Sequence, residues 1–217
     1  MPIRQNDCIG TKKQDLVKTY VIKPIAYVRL LPGQTKENCC GGHLSDVYYS
    51  FEYINKTISN DRGSFNVGYD CGRQIFDLLK IDPHEYRLFD PLSQLRASSG
   101  GNGGSNGNPP QRKLVGLNLE VYNAIHLICV AWNSPPYGKV AETLDYVRNP
   151  FNRPTQKWAV VMVNRIIEYD INHRTLSQIV DDLIAQGHRL KAFSFPLMNQ
   201  IIKDAVKAGE ISSNNID

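Results

Sequence analysis

The chain has 217 residues, of which 41% are hydrophobic and 21% charged, so it can form a hydrophobic core in one large or two small domains. Its net charge of +4 permits contact with nucleic acid without requiring it. The N-terminus lacks the apolar core of a secretory signal, and no apolar run approaches the roughly 20 residues that span a bilayer. We therefore expect a cytoplasmic protein that does not enter a membrane.

Residues 1–97 are predicted to be rich in β-strands. The three predicted strands are residues 18–31, 47–58 and 64–69. They are rich in β-branched and aromatic residues, and the second alternates between two faces. Asp70 then stands where a residue caps a helix, which is predicted over residues 71–80. The first part is therefore expected to be a small antiparallel sheet that leads into a helix.

Residues 98–112 differ in composition from the rest of the chain. Glycine and asparagine dominate this segment, which contains no large apolar side chain. Such a segment cannot offset the entropy that is lost when a chain becomes ordered. We interpret it as a flexible linker or loop that divides residues 1–97 from residues 113–217.

Residues 113–217 are predicted to be helical. The four predicted helices span residues 118–132, 155–169, 175–186 and 194–208. The first is apolar on nearly all sides, which is typical of a buried helix, whereas the β-branched run of the second also suits a strand. The third begins with a capping box of Thr175 and Gln178, and the fourth with a cap at Ser194. The whole chain is therefore expected to be an α+β protein.

A cluster of zinc-binding residue types lies around the predicted hairpin. The five cysteines are Cys8, Cys39, Cys40, Cys71 and Cys129. Their odd number, without a secretory signal, argues against a disulfide framework. Zinc prefers thiolate and imidazole ligands, and the positive end of a helix favours a thiolate at Cys71. We predict a zinc site formed by Cys39, Cys40, His43 and Cys71.

The order of cysteine turn, hairpin and ligand-bearing helix, with Val-Gly-Tyr-Asp-Cys at residues 67–71, resembles the treble-clef zinc fingers. The resemblance covers residues 36–80 and implies a zinc ion that stabilises the fold. Glu37 and Gln74 occupy two positions where such fingers usually carry ligands. The fourth ligand is therefore open among Cys39, Cys8 and His84.

No enzyme motif stands out in the sequence. There is no nucleophile elbow, and the glycines of residues 100–107 do not follow a predicted strand as a phosphate-binding loop would. His126 and Cys129 share a helix face, which suits a core histidine better than a metal ligand. Our first hypothesis is a non-enzymatic binding module that contacts nucleic acid or a nucleoprotein complex. The alternative is a structural or protein-interaction subunit of a larger assembly, and an enzyme remains open.

Overall fold

The computed structural model describes residue 3 and residues 6–93, 114–148 and 155–217. Within these residues the protein has the predicted α+β fold, with two small sheets and seven α-helices, most of them in the second half. The predicted linker at residues 98–112 falls outside the described residues, so its boundaries stay predictions. In the described ranges, no helix is both long and apolar enough to cross a membrane.

The main sheet has four strands in the order β5-β4-β1-β6. The strands are β1 Tyr20–Arg29, β2 Lys36–Glu37, β3 His43–Leu44, β4 Val47–Asn55, β5 Arg62–Val67 and β6 Leu88–Phe89. Strand β4 runs antiparallel to both of its neighbours, as predicted, but β6 runs parallel to β1, so the sheet is mixed. The pairing of β1 with β4 shifts between Pro24 and Ala26, because proline has no N–H to donate to a ladder. Strands β2 and β3 form a separate antiparallel pair.

The described parts of the chain contain seven α-helices. They are α1 Lys12–Thr19, α2 Tyr69–Leu79, α3 Gly116–Ala131, α4 Lys139–Arg148, α5 Lys157–Ile167, α6 Leu176–Ala185 and α7 Pro196–Lys207. The capping box of Thr175 and Gln178 is present at α6. Two predicted caps are wrong by a residue or two: Gly68 precedes α2, so Asp70 lies in its first turn, and Phe195 precedes α7. Helix α1 was not predicted, because Leu16 is its one buried apolar residue.

The main sheet contributes side chains to two hydrophobic cores. Neighbouring residues of a strand point to opposite faces, and Tyr48 and Tyr49 accordingly enter different cores. Tyr49 packs on Phe76 of α2, with ring centroids 5.1 Å apart. Tyr48 joins the larger core, which β1 shares with α3 to α7. The β-rich part and the helical part therefore pack together through one sheet.

Candidate functional site

A disulfide joins Cys8 to Cys39, and both residues are buried. The prediction that the cysteines form no disulfide is therefore wrong. The odd number of cysteines was a misleading signal, because one pair can form a disulfide while the other three cysteines stay free. The chain before α1 folds back against the turn that carries Cys39: the amide of Asn6 donates to the Cys39 carbonyl oxygen at 2.7 Å. The Cys39 amide in turn donates to Asn66 of β5 at 2.8 Å.

The turn after Cys39 is fixed by Asn38 and two glycines. The amide of Cys40 donates to Asn38 Oδ1 at 3.0 Å, and the amide of Gly41 donates to the Asn38 carbonyl oxygen at 2.8 Å. Gly41 and Gly42 both have positive φ, at 97° and 71°, which is a conformation that glycine adopts at little cost. A Cβ on Gly41 would lie 2.8 Å from the side-chain oxygen of Asn6. The turn therefore holds Cys40 in one place.

Cys40 and Cys71 are half-buried free cysteines that pack against the smaller of the two cores. Cys40 Sγ also lies 3.5 Å from the carbonyl oxygen of Cys8. Burial, followed by the neighbouring Cys71 thiol, raises the pKa of the Cys40 thiol to about 12, while the nearby Lys13 acts in the opposite direction. Lys13 is buried, and its Nζ donates to Gln74 Oε1 at 2.6 Å. The smaller core therefore brings together one disulfide and two free thiols.

The treble-clef resemblance is wrong. Within residues 6–93, 114–148 and 155–217, no group of three or more histidine, cysteine or acidic residues is arranged to hold a metal ion. The disulfide occupies the Cys39 sulfur, and His43 is exposed on β3, where it pairs with Glu37 of β2. Residues 67–71 do lead from β5 into α2, but a strand followed by a helix does not itself supply ligands. Zinc binding by the cysteines stays a prediction for a metal assay.

His126 is a core residue, as its position on an apolar helix suggested. Its ring stacks on the Phe89 ring, with ring centroids 4.6 Å apart. It also packs against the Tyr122 ring in an edge-to-face arrangement, with ring centroids 4.4 Å apart. Burial lowers the pKa of His126 to about 3 and raises the pKa of the buried Cys129 thiol to about 12. The His126 Nδ1 atom has no hydrogen-bond partner among the described residues. Both groups are therefore neutral near pH 7.

A groove of about 350 Å³ lies between α6 and α7. Its lining residues are Ser177, Val180, Asp181, Phe193, Ser194, Phe195, Pro196, Asn199, Ile216 and Asp217. Half of these side chains are apolar, and two of them carry carboxylates. The sequence did not predict this site, because the prediction of elements ended at α7 and assigned no role to residues 213–217.

Residues 213–217 form one wall of the groove, and hydrogen bonds join them to α5 on one side and to α6 on the other. Asn164, inside α5, is buried: its Nδ2 donates to the Ser213 carbonyl oxygen at 3.0 Å, and its Oδ1 accepts from the Asn215 amide at 2.8 Å. The amide of Ser177 donates to the Ile216 carbonyl oxygen at 3.1 Å. One sequence signal could have indicated this contact, namely an asparagine within the apolar run of α5. A buried amide needs hydrogen-bond partners.

The two carboxylates at the groove have different surroundings. Asp217 accepts from Asn199 Nδ2 at 2.9 Å and lies 3.4 Å from Lys203 Nζ, and these contacts lower its pKa. Asp181 is exposed on α6. The groove thus has a mixed lining, in which apolar side chains lie beside polar ones and two carboxylates, and this suits an apolar group that has a cation beside it.

The chain belongs to the family described as "Uncharacterised conserved protein UCP028583", which matches it over residues 5–210. No curated protein and no solved structure matches the chain.

Proposed function

For this member of the family, we propose a non-enzymatic role as a protein-interaction subunit of a larger assembly. The groove between α6 and α7 receives a short segment of a partner protein, in which an apolar side chain is followed by lysine or arginine. The observation that carries this proposal is the groove itself, in which apolar side chains lie beside the carboxylates of Asp181 and Asp217.

The size and lining of the groove support a peptide segment as its occupant. Binding pockets are commonly some 300 to 1,000 Å³ and mainly apolar, with a few polar groups that set orientation. Phe193, Phe195 and Val180 supply the apolar lining here. Burying one large apolar side chain stabilises a complex by about 1.5–3 kcal/mol. The carboxylates of Asp181 and Asp217 then favour a basic neighbour and fix the direction of the segment.

The groove is formed before a partner arrives, which reduces the entropy cost of binding. Ile216 is buried, and the hydrogen bonds of Asn164 and Ser177 hold its backbone beside α6. Helix α7 is held in a similar way, because the amides of Leu197 and Met198 both donate to the Glu120 carboxylate of α3. A partner segment therefore meets walls that are already in place.

The charge of the groove supports a protein partner over nucleic acid. The chain as a whole carries a net charge of +4, but the carboxylates of Asp181 and Asp217 at the groove would repel phosphate. The first hypothesis, contact with nucleic acid, stays a prediction to which no residues are assigned.

Selection of short random peptides displayed on phage tests the proposal. We expect enrichment of peptides in which an aromatic or aliphatic residue precedes lysine or arginine. Val180→Arg fills the groove and should weaken binding of a selected peptide at least roughly tenfold, which corresponds to about 1.4 kcal/mol. Asp181→Lys should also weaken peptide binding, and the loss of affinity should be larger at low salt than at high salt.

Ile184→Arg is the matched control for Val180→Arg, because Ile184 is exposed one turn further along α6 and does not line the groove. Its peptide affinity should equal that of the wild type. The proposal would be contradicted if both arginine variants lost the same amount of peptide affinity. It would also be contradicted if the selected peptides bound the groove variants as tightly as the wild type. Steeply salt-dependent binding of DNA or RNA without peptide binding would favour the nucleic-acid hypothesis instead.

A further inference from the structure

The segment that leads into α7 begins as a strand and then loses its pairing beside the groove. Leu190 forms an isolated antiparallel bridge with Leu92. The Lys191 amide donates to the Pro91 carbonyl oxygen at 2.8 Å and completes this bridge. Residues 191–195 then belong to no helix or strand. The backbone therefore continues from a paired residue to the groove without a partner strand.

Ser194 is the centre of this unpaired stretch. No described residue forms a hydrogen bond with the amides of Phe193, Ser194 and Phe195, or with the carbonyl oxygens of Phe193 and Ser194. Ser194 is exposed, and all three residues line the groove. An exposed residue with an unpaired N–H and C=O is a short strand edge, which can pair with another chain.

We propose that the partner segment binds as an extended strand whose backbone pairs with Ser194. This inference rests on the proposed function, because it concerns the same groove and the same peptide. The peptide residue opposite Ser194 accepts a hydrogen bond from the Ser194 amide and donates one to the Ser194 carbonyl oxygen. The partner is therefore a segment that is free to extend and has no proline at that residue.

Two aromatic residues fix the position of Ser194. Phe195 is buried in the larger core, and Phe193 packs against the same core. The Phe193 ring lies beside Phe89 of β6, with ring centroids 6.2 Å apart. The backbone between these two anchors is held at the groove before a peptide arrives, which lowers the entropy cost of pairing.

An extended conformation fixes the spacing of the side chains that face the groove. Side chains of a strand alternate between two faces, so residues two apart point the same way. One residue should therefore separate the apolar residue in the groove from the basic residue that meets Asp181 or Asp217. A helical peptide would bring residues three or four apart onto one face instead. The spacing in the selected peptides thus distinguishes the two binding modes.

N-methylation of a selected peptide, at one residue at a time, tests the proposal. Each methyl group removes one backbone N–H group. Binding should weaken at least roughly tenfold when the methyl group is on the residue opposite Ser194, and less than about threefold when it is on either neighbour, because successive residues of a strand alternate between bonded and non-bonded positions.

Hydrogen exchange at the Ser194 amide is a second measurement, made on the unmodified protein. This amide has no partner among the described residues, so it should exchange quickly in the free protein. Saturation with the peptide should slow its exchange at least roughly tenfold, because a hydrogen-bonded amide exchanges only when the bond opens. The Lys191 amide is the control: it already donates to Pro91, and its exchange should not depend on the peptide.

The outcomes separate this inference from the proposed function. Suppose that a peptide binds and is displaced by Val180→Arg, but every N-methylated form binds equally well and the Ser194 amide is not slowed. The strand pairing would then be wrong while the proposed function stands. Losses at several consecutive residues, with the basic residue three or four positions from the apolar one, would indicate a helical partner and would also overturn the inference. If no displayed peptide bound the groove, both would fail together.

Discussion

Asp170 and Arg174 form a two-point ion pair: Arg174 Nη2 lies 2.8 Å from Asp170 Oδ1, and Nε lies 2.9 Å from Oδ2. The Asp170 side chain is fully buried, and Trp132 Nε1 donates to it at 2.7 Å. This ion pair fixes the turn between α5 and α6 and therefore the start of the helix that forms one side of the groove. The same turn leaves Tyr169 and Ile171 81% and 88% exposed.

Asp170→Asn should lower the free energy of unfolding by about 3 kcal/mol, because it leaves the Arg174 guanidinium without its main partner in a mostly buried site. Urea unfolding measures the change. Asp182→Asn is the matched control, since Asp182 contacts the same guanidinium at 3.0 Å but its side chain is 50% exposed. Loss of such an exposed contact should cost less than about 1 kcal/mol. Equal losses in the two variants would show that the buried pair is not the stabilising one.

Gly72→Ala should destabilise the protein, although alanine favours helices. A Cβ at position 72 of α2 would lie 2.2 Å from Tyr49 Cδ2 on β4, so the helix must move away from the sheet. Overpacking of this kind costs about 1–3 kcal/mol, which exceeds the gain of about 1 kcal/mol in helix propensity. Thermal unfolding provides the measurement, with the exposed Asp77→Ala on the same helix as control. A stabilised Gly72→Ala would contradict the packing described for Tyr49.

His126 should make stability depend on pH below neutrality. Because burial lowers the pKa of His126 to about 3, the unfolded chain binds a proton below about pH 6.5 while the folded protein does not. Its contribution to stability is therefore complete above about pH 6.5 and is lost as the pH falls toward 3, at about 1 kcal/mol per pH unit.

His126→Phe keeps the stacked ring and should remove that dependence. The difference between wild type and variant, followed by urea unfolding from pH 7 to pH 5, reports the histidine alone. His43→Gln is the control, because His43 is exposed and its replacement should leave the slope unchanged. A wild-type slope in His126→Phe would mean that another group titrates.

Asn164→Ala should weaken both the fold and the groove. The variant leaves the Ser213 carbonyl oxygen and the Asn215 amide without their partner on α5, at a cost of about 1–3 kcal/mol. Since these residues lead directly into Ile216 and Asp217, affinity for a selected peptide should fall as well. Asn199→Ala removes the hydrogen bonds to Asn214 and Asp217 and keeps those of Asn164, and it should lower peptide affinity with a smaller loss of stability.

The sequence predicted local structure better than contacts between distant residues. Alternation identified β4, and the Thr175 capping box identified the start of α6, because both signals lie within a few residues. The β6 strand was missed, since two residues that pair with β1 across some sixty positions leave no periodic pattern. The Cys8–Cys39 disulfide and the contact of Asn164 with the end of the chain were missed for the same reason.

The candidate sites show the same limit. Cys39, Cys40, His43 and Cys71 were grouped as zinc ligands from their spacing, which could not show that Cys8 is bonded to Cys39 or that His43 is exposed on β3. The groove depends on three segments that meet only in the folded chain: α6, the start of α7 and the last residues. Each of these segments taken alone has the composition of an ordinary surface.

The most direct test of the proposed role is a titration of the isotope-labelled protein with a selected peptide, followed by nuclear magnetic resonance. The account predicts that the largest shifts of backbone amides occur at Ser177, Val180, Asp181, Asn199 and Asp217, and that Val180→Arg abolishes them at the same peptide concentration. Shifts that concentrate on the main sheet or on α2 while the groove amides stay unchanged would contradict it.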